Sequence, residues 1–295
     1  MIHKKMNRTD YIVEAVLLLA GIAVCICILY PIINILAISL SSEGYVLRHE
    51  VRLLPKGFTL EAYKSVLQNK EVLRSFGNSI YITLTGCVLS LAATFFAAYP
   101  VACCEFPGKK LYNIFILIPM WFQGGMIPSY ICIQKLGLVN SYWSLILSAL
   151  ISSYHVLILS SFLRGIPREL LESARMDGAG ELRVMFRIVA PLAKASFATI
   201  GLWVIAAHWN AYFAPLLYIT DSSKFTLQQV LREIVLEANA AQFDLGTARP
   251  GQTSVNLADQ VRYAILIVSM VPMLIIYPFV QKYFVKGVTL GAVKG

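Results

Sequence analysis

The sequence predicts an all-α integral membrane protein, a bundle of six spanning helices. Composition is the first reason: of 295 residues, 58% are hydrophobic and 14% charged, with a mean hydropathy of +0.68. Soluble domains carry about 25% charged residues, so this chain has too little polar surface to cover a water-soluble globule of its size. Length is the second: apolar stretches run over residues 12–38, 77–103, 111–134, 142–163, 195–219 and 263–279, and crossing the hydrocarbon core takes about 20 helical residues. The third is the absence of the alternating segments of about ten residues that build a membrane β-barrel. The same composition excludes a disordered chain, collagen and a secreted disulfide scaffold.

Lys4, Lys5 and Arg8 precede the first stretch as they would in a secretory signal. Its apolar run is much longer than the roughly 7–15 residues of a signal core, so it reads as a retained helix. The long first loop carries Arg48, Arg52, Lys56, Lys64, Lys70 and Arg74, offset by four glutamates. Lys109 and Lys110 separate the second and third stretches. Arg164, Arg168, Arg175, Arg183, Arg187 and Lys194 crowd the loop 164–194, and Lys282, Lys286 and Lys294 follow the last stretch. Six spans put both termini on one side, and this bias in Lys and Arg makes that side cytoplasmic. Residues 220–262 then form an external loop.

The net charge of +9 follows from the same bias, and no basic–aromatic stripe points to nucleic acid. Cys25, Cys27, Cys87, Cys103, Cys104 and Cys132 lie in or at the ends of apolar stretches, without a C-x-x-C pair or a histidine cluster for a metal. They read as small packing residues. Within the stretches the one Asp, Glu, Lys or Arg is Glu14. Ion-coupled carriers keep ionisable groups near the midplane, and His155 and His208, the imidazoles available, read as packed or hydrogen-bonded. A phosphate-binding G-x-x-x-x-G-K-[ST] loop is missing, as are H-E-x-x-H and G-x-S-x-G. Asp177-Gly178 begins a lipid phosphotransferase pattern, but the further aspartates do not follow. The chain is therefore no enzyme, and uphill transport would draw its energy from another subunit.

Specific information sits in residues 164–194, RGIPRELLESARMDGAGELRVMFRIVAPLAK. Pro167 suits a first helical position, and Glu169 in the first turn complements the helix dipole. Leu170, Ala174 and Asp177 follow at helical spacing, and Gly178 is a natural stop. A second amphipathic segment over 181–189 places Leu182, Met185, Phe186 and Val189 along one side, and Pro191 ends it near the membrane. An apolar face on so charged a loop must be buried against something.

These residues resemble the EAA motif of binding-protein-dependent ABC importer permeases, E-A-A-x-x-x-G, nine residues, then I-x-L-P. Here Glu172-Ser173-Ala174-Arg175-Met176-Asp177-Gly178 is followed after nine residues by Ile188-Val189-Ala190-Pro191. Ser173 and Ala190 depart from the pattern. The segment from Trp209 to Leu216 is similar to the fifth span of the carbohydrate-uptake branch, and Lys286 to Gly295 to that branch's ending. Gly124-Gly125-Met126-Ile127-Pro128 and the stretch 227–233 are similar to oligosaccharide-uptake members. The chain resembles the smaller permease of a maltose-type importer.

The resemblance implies the six-span type I importer architecture in a bacterial cell membrane. It also implies a second permease (a different chain), a cytoplasmic ATPase dimer that holds ATP and Mg, an external solute-binding protein, and no cofactor on this chain. Glu172, Ala174, Arg175, Asp177, Gly178 and Pro191 would belong to the surface that docks on the ATPase. For an oligosaccharide path the candidates are Trp209, Asn210, Tyr212 and Phe213, which join aromatic faces to an amide; Trp121, Gln123, Tyr154 and His155 are weaker additions. Interfacial aromatics and helix packing offer the structural alternative for each.

In the external loop, Thr226 and Gln229 match a capping box. Leu227, Val230, Leu231, Ile234 and Val235 then make an apolar stripe, on a helix that lies along the membrane or packs on the bundle. Residues 239–259 read as a polar loop toward the binding protein. A permease for a non-sugar solute and a non-transporting scaffold remain the alternatives. Gly178→Pro should abolish solute uptake while leaving the protein inserted in the membrane fraction; normal uptake by that variant would count against the coupling role.

Overall fold

A computed structural model describes residues 8–244 and 254–292. Lys4, Lys5, Lys294 and positions 245–253 of the expected external loop lie outside the described residues. All regular structure among the described residues is helical, as the hydropathy pattern predicts. In chain order the α-helices are α1 (Arg8–Ser39), α2 (Glu43–Leu47), α3 (Glu61–Gln68), α4 (Lys70–Cys103), α5 (Lys109–Trp121), α6 (Met126–Lys135), α7 (Tyr142–Ser148) and α8 (Ser153–Arg164). There follow α9 (Arg168–Met176), α10 (Glu181–Val184), α11 (Ala190–Leu192), α12 (Lys194–Trp209), α13 (Phe213–Tyr218), α14 (Leu227–Asp244) and α15 (Ser254–Ala292).

Three continuous helical segments are long and apolar enough to cross a membrane: Tyr11–Ser39, Lys70–Cys103 and Gln260–Phe279. Three more candidates are bent pairs: α5 with α6 at 116°, α7 with α8 at 51°, and Glu181–Leu192 with Lys194–Trp209 at 80°. The sequence pattern reads residues 111–134, 142–163 and 195–219 as single stretches, and the structure breaks each of them. Gly125 at φ 80° interrupts the first. In the third, α12 stops at Trp209 and α13 begins at Phe213. Pro215 has no N–H to continue the ladder back to Ala211 and so favours that break. The start of α4 also differs: Lys70 and Arg74, expected in the loop, lie in its first turns.

The chain divides into two compact units. The first, Met1–Asn69 with Glu233–Ser269, carries α1, whose most apolar stretch is entirely exposed. Past the end of α1 the chain is tied down by polar groups. Ser39 Oγ lies 2.7 Å from the Tyr63 hydroxyl, Gln260 Nε2 donates to the Ser41 carbonyl at 3.0 Å, and Lys56 N donates to Ser41 Oγ at 3.0 Å. Gly57 is required at that turn, because its φ is 63° and an added Cβ would sit 2.5 Å from Ser42 Oγ.

The second unit, Lys70–Arg232 with Met270–Gly295, is built around α4. Ser75, Ser79, Thr83, Gly86, Ser90 and Thr94 recur every three or four residues and are buried. This is the spacing of one helix face, and small residues there let neighbouring backbones approach closely. α8 and α12 pack against it. Phe95, Ala98, Tyr99, Leu159, Leu163, Ile200 and Val204 fill the core between them.

At its N-terminal end α4 holds the segment before α14. Asn78 Nδ2 donates to the carbonyls of Ser223 (3.1 Å) and Phe225 (2.9 Å), and Ser79 Oγ accepts from Leu227 N at 2.8 Å. The expected capping box forms here: Thr226 N donates to Gln229 Oε1 at 3.1 Å, and Gln229 N points back at Thr226 Oγ1 at 3.4 Å. Leu227 and Val230 are buried, so this end of α14 packs on protein. The helix reaches Asp244, and residues 239–244, expected in a polar loop, are helical.

His208 lies against the Gly86 backbone, where an added Cβ would fall 2.6 Å from Nε2. Gly86→Ala should therefore lower thermal stability in detergent by about 1–3 kcal/mol, the usual cost of overpacking. The double variant Gly86→Ala/His208→Ala should recover part of that loss, and thermal unfolding of the three proteins checks both statements.

Candidate coupling loop and translocation path

α9 opens after Pro167, which takes an extended ψ of 129° as the capping residue; the sequence pattern places Pro167 inside the first turn, and Arg168 stands there instead. The helix buries Leu171 and Ala174 and leaves Leu170 exposed. It closes in a Schellman turn: Ala179 N donates to the Ala174 carbonyl and Gly178 N to that of Arg175, both at 3.0 Å. Gly178 holds φ 80°, a conformation that glycine adopts without steric cost.

α10 then leads into a π-helical turn, Met185–Val189, and on through α11. Pro191 therefore does not end the helix as the pattern predicts. The widened turn lies where its ring would crowd the Arg187 carbonyl, and the path turns into α12 at Ala193, two residues later. The buried face also differs from the expected one. Val184, Met185 and Val189 are buried, whereas Leu182 is 66% exposed. Phe186 is half-exposed and meets Phe95 and Phe96 edge-on.

A polar clasp accompanies this rotation. Arg175 Nε donates to Glu181 Oε1 at 2.8 Å, and a second guanidinium nitrogen reaches Glu181 Oε2 (3.3 Å) and the Cys103 carbonyl (3.1 Å). The Tyr99 hydroxyl donates to Glu181 Oε2 at 2.7 Å. One carboxylate thus joins both arms of the loop to the C-terminal end of α4. The hydrogen bond from Arg175, and next that from Tyr99, hold the Glu181 carboxyl below the usual carboxylate range, and Glu181 raises Arg175 in turn.

Among the sequence-predicted coupling residues, Glu172, Asp177, Gly178 and Pro191 are exposed, Ala174 is buried, and Arg175 is turned inward to the clasp. The tip is Met176, 88% exposed. Beside the loop, Arg168, Leu171, Glu172, Arg175 and Glu181 line a cavity of about 520 Å³ with Cys103 and neighbouring residues. Glu181 and Tyr99 were not singled out from sequence. Glu181 offered one signal, an acid in the first turn of the second segment, six residues after an arginine; Tyr99 offered none within an apolar run.

The path candidates fall into separate places. Trp209, Asn210, Tyr212 and Phe213 surround the break between α12 and α13. Trp209 is buried, edge-on to Phe76 with ring centroids 5.7 Å apart. Asn210 Nδ2 donates to the Ala206 carbonyl at 3.0 Å. Tyr212 and Phe213 are half-exposed and 6.4 Å apart. Tyr154 forms a second group on α8, 5.9 Å from Trp203, whose ring also stacks on His155 at 6.0 Å. Trp121 ends α5, 78% exposed, with Gln123 in the break beyond it.

Apolar helices broken at glycine and proline, with a charged loop braced against the end of one of them, fit the class of transporter permeases. The family model for binding-protein-dependent transport system inner membrane components matches residues 74–290. The chain belongs to that family, and the type I ABC importer permease fold expected from the EAA loop is the one it has. Protein LplC of Bacillus subtilis (strain 168) is 39% identical over 268 residues, spanning 90% of this chain and 89% of that protein. The polygalacturonan/rhamnogalacturonan transport system permease protein YtcP of the same strain is 34% identical over 275 residues, 92% of this chain and 93% of that one. Among solved structures, a bacterial ABC transporter involved in the import of the acidic polysaccharide alginate contains a chain that superposes with a TM-score of 0.85 at 30% identity. The match covers 95% of this chain and 99% of that one.

The Glu181 clasp carries a pH dependence whose sign follows from the lowered carboxyl. A group depressed in the folded state stabilises it above its unfolded pKa and loses that contribution as pH falls through the folded pKa. Protease resistance of residues 164–194 should be unchanged from neutral pH down to the ordinary carboxylate range and fall below it. Glu181→Gln should lower resistance at neutral pH and flatten the profile; an unchanged profile would refute the clasp.

Proposed function

We propose that this chain is one permease subunit of an ATP-driven, binding-protein-dependent importer of oligosaccharides. The observation that carries the reading is the loop 164–194, which presents Glu172, Met176, Asp177 and Gly178 outward on a turn braced against α4. A surface built this way suits docking into a cleft on a cytoplasmic ATPase, with both termini of this chain on the same side. Glu172 and Asp177 meet basic side chains or backbone N–H donors there, and Met176 supplies the apolar contact. ATP and Mg belong to the ATPase. Closure of the ATPase dimer moves the loop, and the spans rock from inward- to outward-facing.

The names of the relatives support a carbohydrate as the solute. The aromatic groups around Tyr212 and Phe213, and around Tyr154 and Trp203, have the flat apolar faces that sugar rings stack on, beside an amide and an imidazole for hydroxyls. The second permease is read as a different chain, and the external binding protein delivers the solute on the side of the segment before α14.

Purification of the tagged chain in mild detergent, with partners identified by mass spectrometry, tests this reading. An ATPase and a second permease should copurify in stoichiometric amount. Glu172→Lys/Asp177→Lys should lower ATPase recovery about tenfold or more, as expected when charge pairs at an interface turn repulsive, and leave the second permease bound. Recovery of this chain alone, folded and without an ATPase, would overturn the importer reading in favour of a scaffold.

A further inference from the structure

α4 is the one helix of its unit among the described residues that is long enough to span a membrane without a break. It is gripped by hydrogen bonds from outside itself near its C-terminal end and, toward its other end, in its N-terminal third. At one end Tyr99 holds Glu181, and Arg175 holds both Glu181 and the Cys103 carbonyl. At the other, Asn78 holds the carbonyls of Ser223 and Phe225, and Ser79 accepts from Leu227 N. Tyr99 and Asn78 are separated by 21 residues of helix, about 30 Å at 1.5 Å per residue.

We infer that α4 is a strut whose residues Tyr99 and Asn78 deliver a displacement of the coupling loop to the loop at residues 223–227 on the opposite face. The inference rests on the docking of loop 164–194 to an ATPase. Rigid secondary elements are among the carriers of coupling between distant sites, and bent pairs lose stiffness where their backbone hydrogen bonds are interrupted. α4 runs as one unbroken helix from Lys70 to Cys103, and Pro100, which has no N–H to give the Phe96 carbonyl, falls in its last turn. The interlocked side chains of Phe95, Tyr99, Leu159, Leu163 and Ile200 hold it against α8 and α12, so that it moves with them as one body. The clasp is charge-assisted at Glu181 and therefore stronger than a neutral pair. Tyr99 and Asn78 are positioning residues, since Tyr99 acts through Glu181 and Asn78 through the carbonyls of Ser223 and Phe225.

The test uses the complete complex of this chain with its copurified permease and ATPase, trapped with Mg-ATP and vanadate. Amide hydrogen exchange is then read at residues 223–231 with and without trapping. In the wild-type complex, trapping should change exchange there about tenfold. Tyr99→Phe removes one charge-assisted hydrogen bond about 30 Å away and should erase most of that difference without altering basal ATP hydrolysis. Tyr112→Phe is the control: it removes a hydroxyl bonded to the Ala97 carbonyl, beside the clasp and outside it, and should keep the difference. A wild-type complex that traps nucleotide with no change at 223–231 overturns the strut, as does Tyr99→Phe with an undiminished change. Loss of basal hydrolysis and of the exchange change together in Tyr99→Phe also overturns it, because the residue would then be structural only. Failure of the ATPase to copurify defeats the parent reading, and the strut with it.

Discussion

The close approach of α8 and α12 to α4 is the contact on which the rest of this chain depends. Lipid offers little hydrophobic drive for one apolar helix to seek another, so association in a bilayer comes from packing and hydrogen bonds. The stripe from Ser75 to Thr94 removes bulk from one face of α4 and lets its neighbours reach the backbone. At Gly86 the imidazole of His208 occupies the space a side chain would take. Everything described about the loop and about the 223–227 segment is attached to one end or the other of this packed helix.

Irregular backbone in a membrane is tolerated where protein or a water-lined cavity satisfies it. The breaks at 122–125 and 210–212 each lie beside aromatic and amide side chains, Trp121 with Gln123 at the first and Trp209, Asn210, Tyr212 and Phe213 at the second. Tyr212 and Phe213 are set at a helix end rather than on a continuous face, and Asn210 already spends one amide hydrogen on Ala206. Trp209, by contrast, is committed to the core against Phe76. The aromatic cluster in the sequence therefore divides into a packing member and exposed members.

The acidic residues of loop 164–194 divide in the same way. Glu181 is spent internally, with its charge shared between Arg175 and Tyr99, whereas Glu172 and Asp177 remain outward. A side chain that braces the loop and side chains that face outward are chemically alike and ten residues or fewer apart. Only their surroundings separate the two roles.

Composition and hydropathy were enough for the membrane class and for the positions of α1, α4 and α15, because lipid imposes a one-dimensional constraint: length and apolarity along the chain. Local chemistry also reads directly from residues close in sequence, as at Gly178 with its positive φ and at the Thr226–Gln229 capping box. The motif carried the family, since its interval from Gly178 to Ile188 is a spacing and not a contact. The bends, the π-turn before Pro191 and the buried face of α10 were not legible, because each is decided by competition between local helix propensity and packing elsewhere. The clasp shows the limit most plainly: Glu181 and Arg175 are six residues apart, but Tyr99 lies 82 residues from Glu181, and no periodicity encodes a hydrogen bond between them. That pairing exists because α4, α9 and α10 converge in three dimensions, and the convergence is a property of the packed core rather than of any one segment.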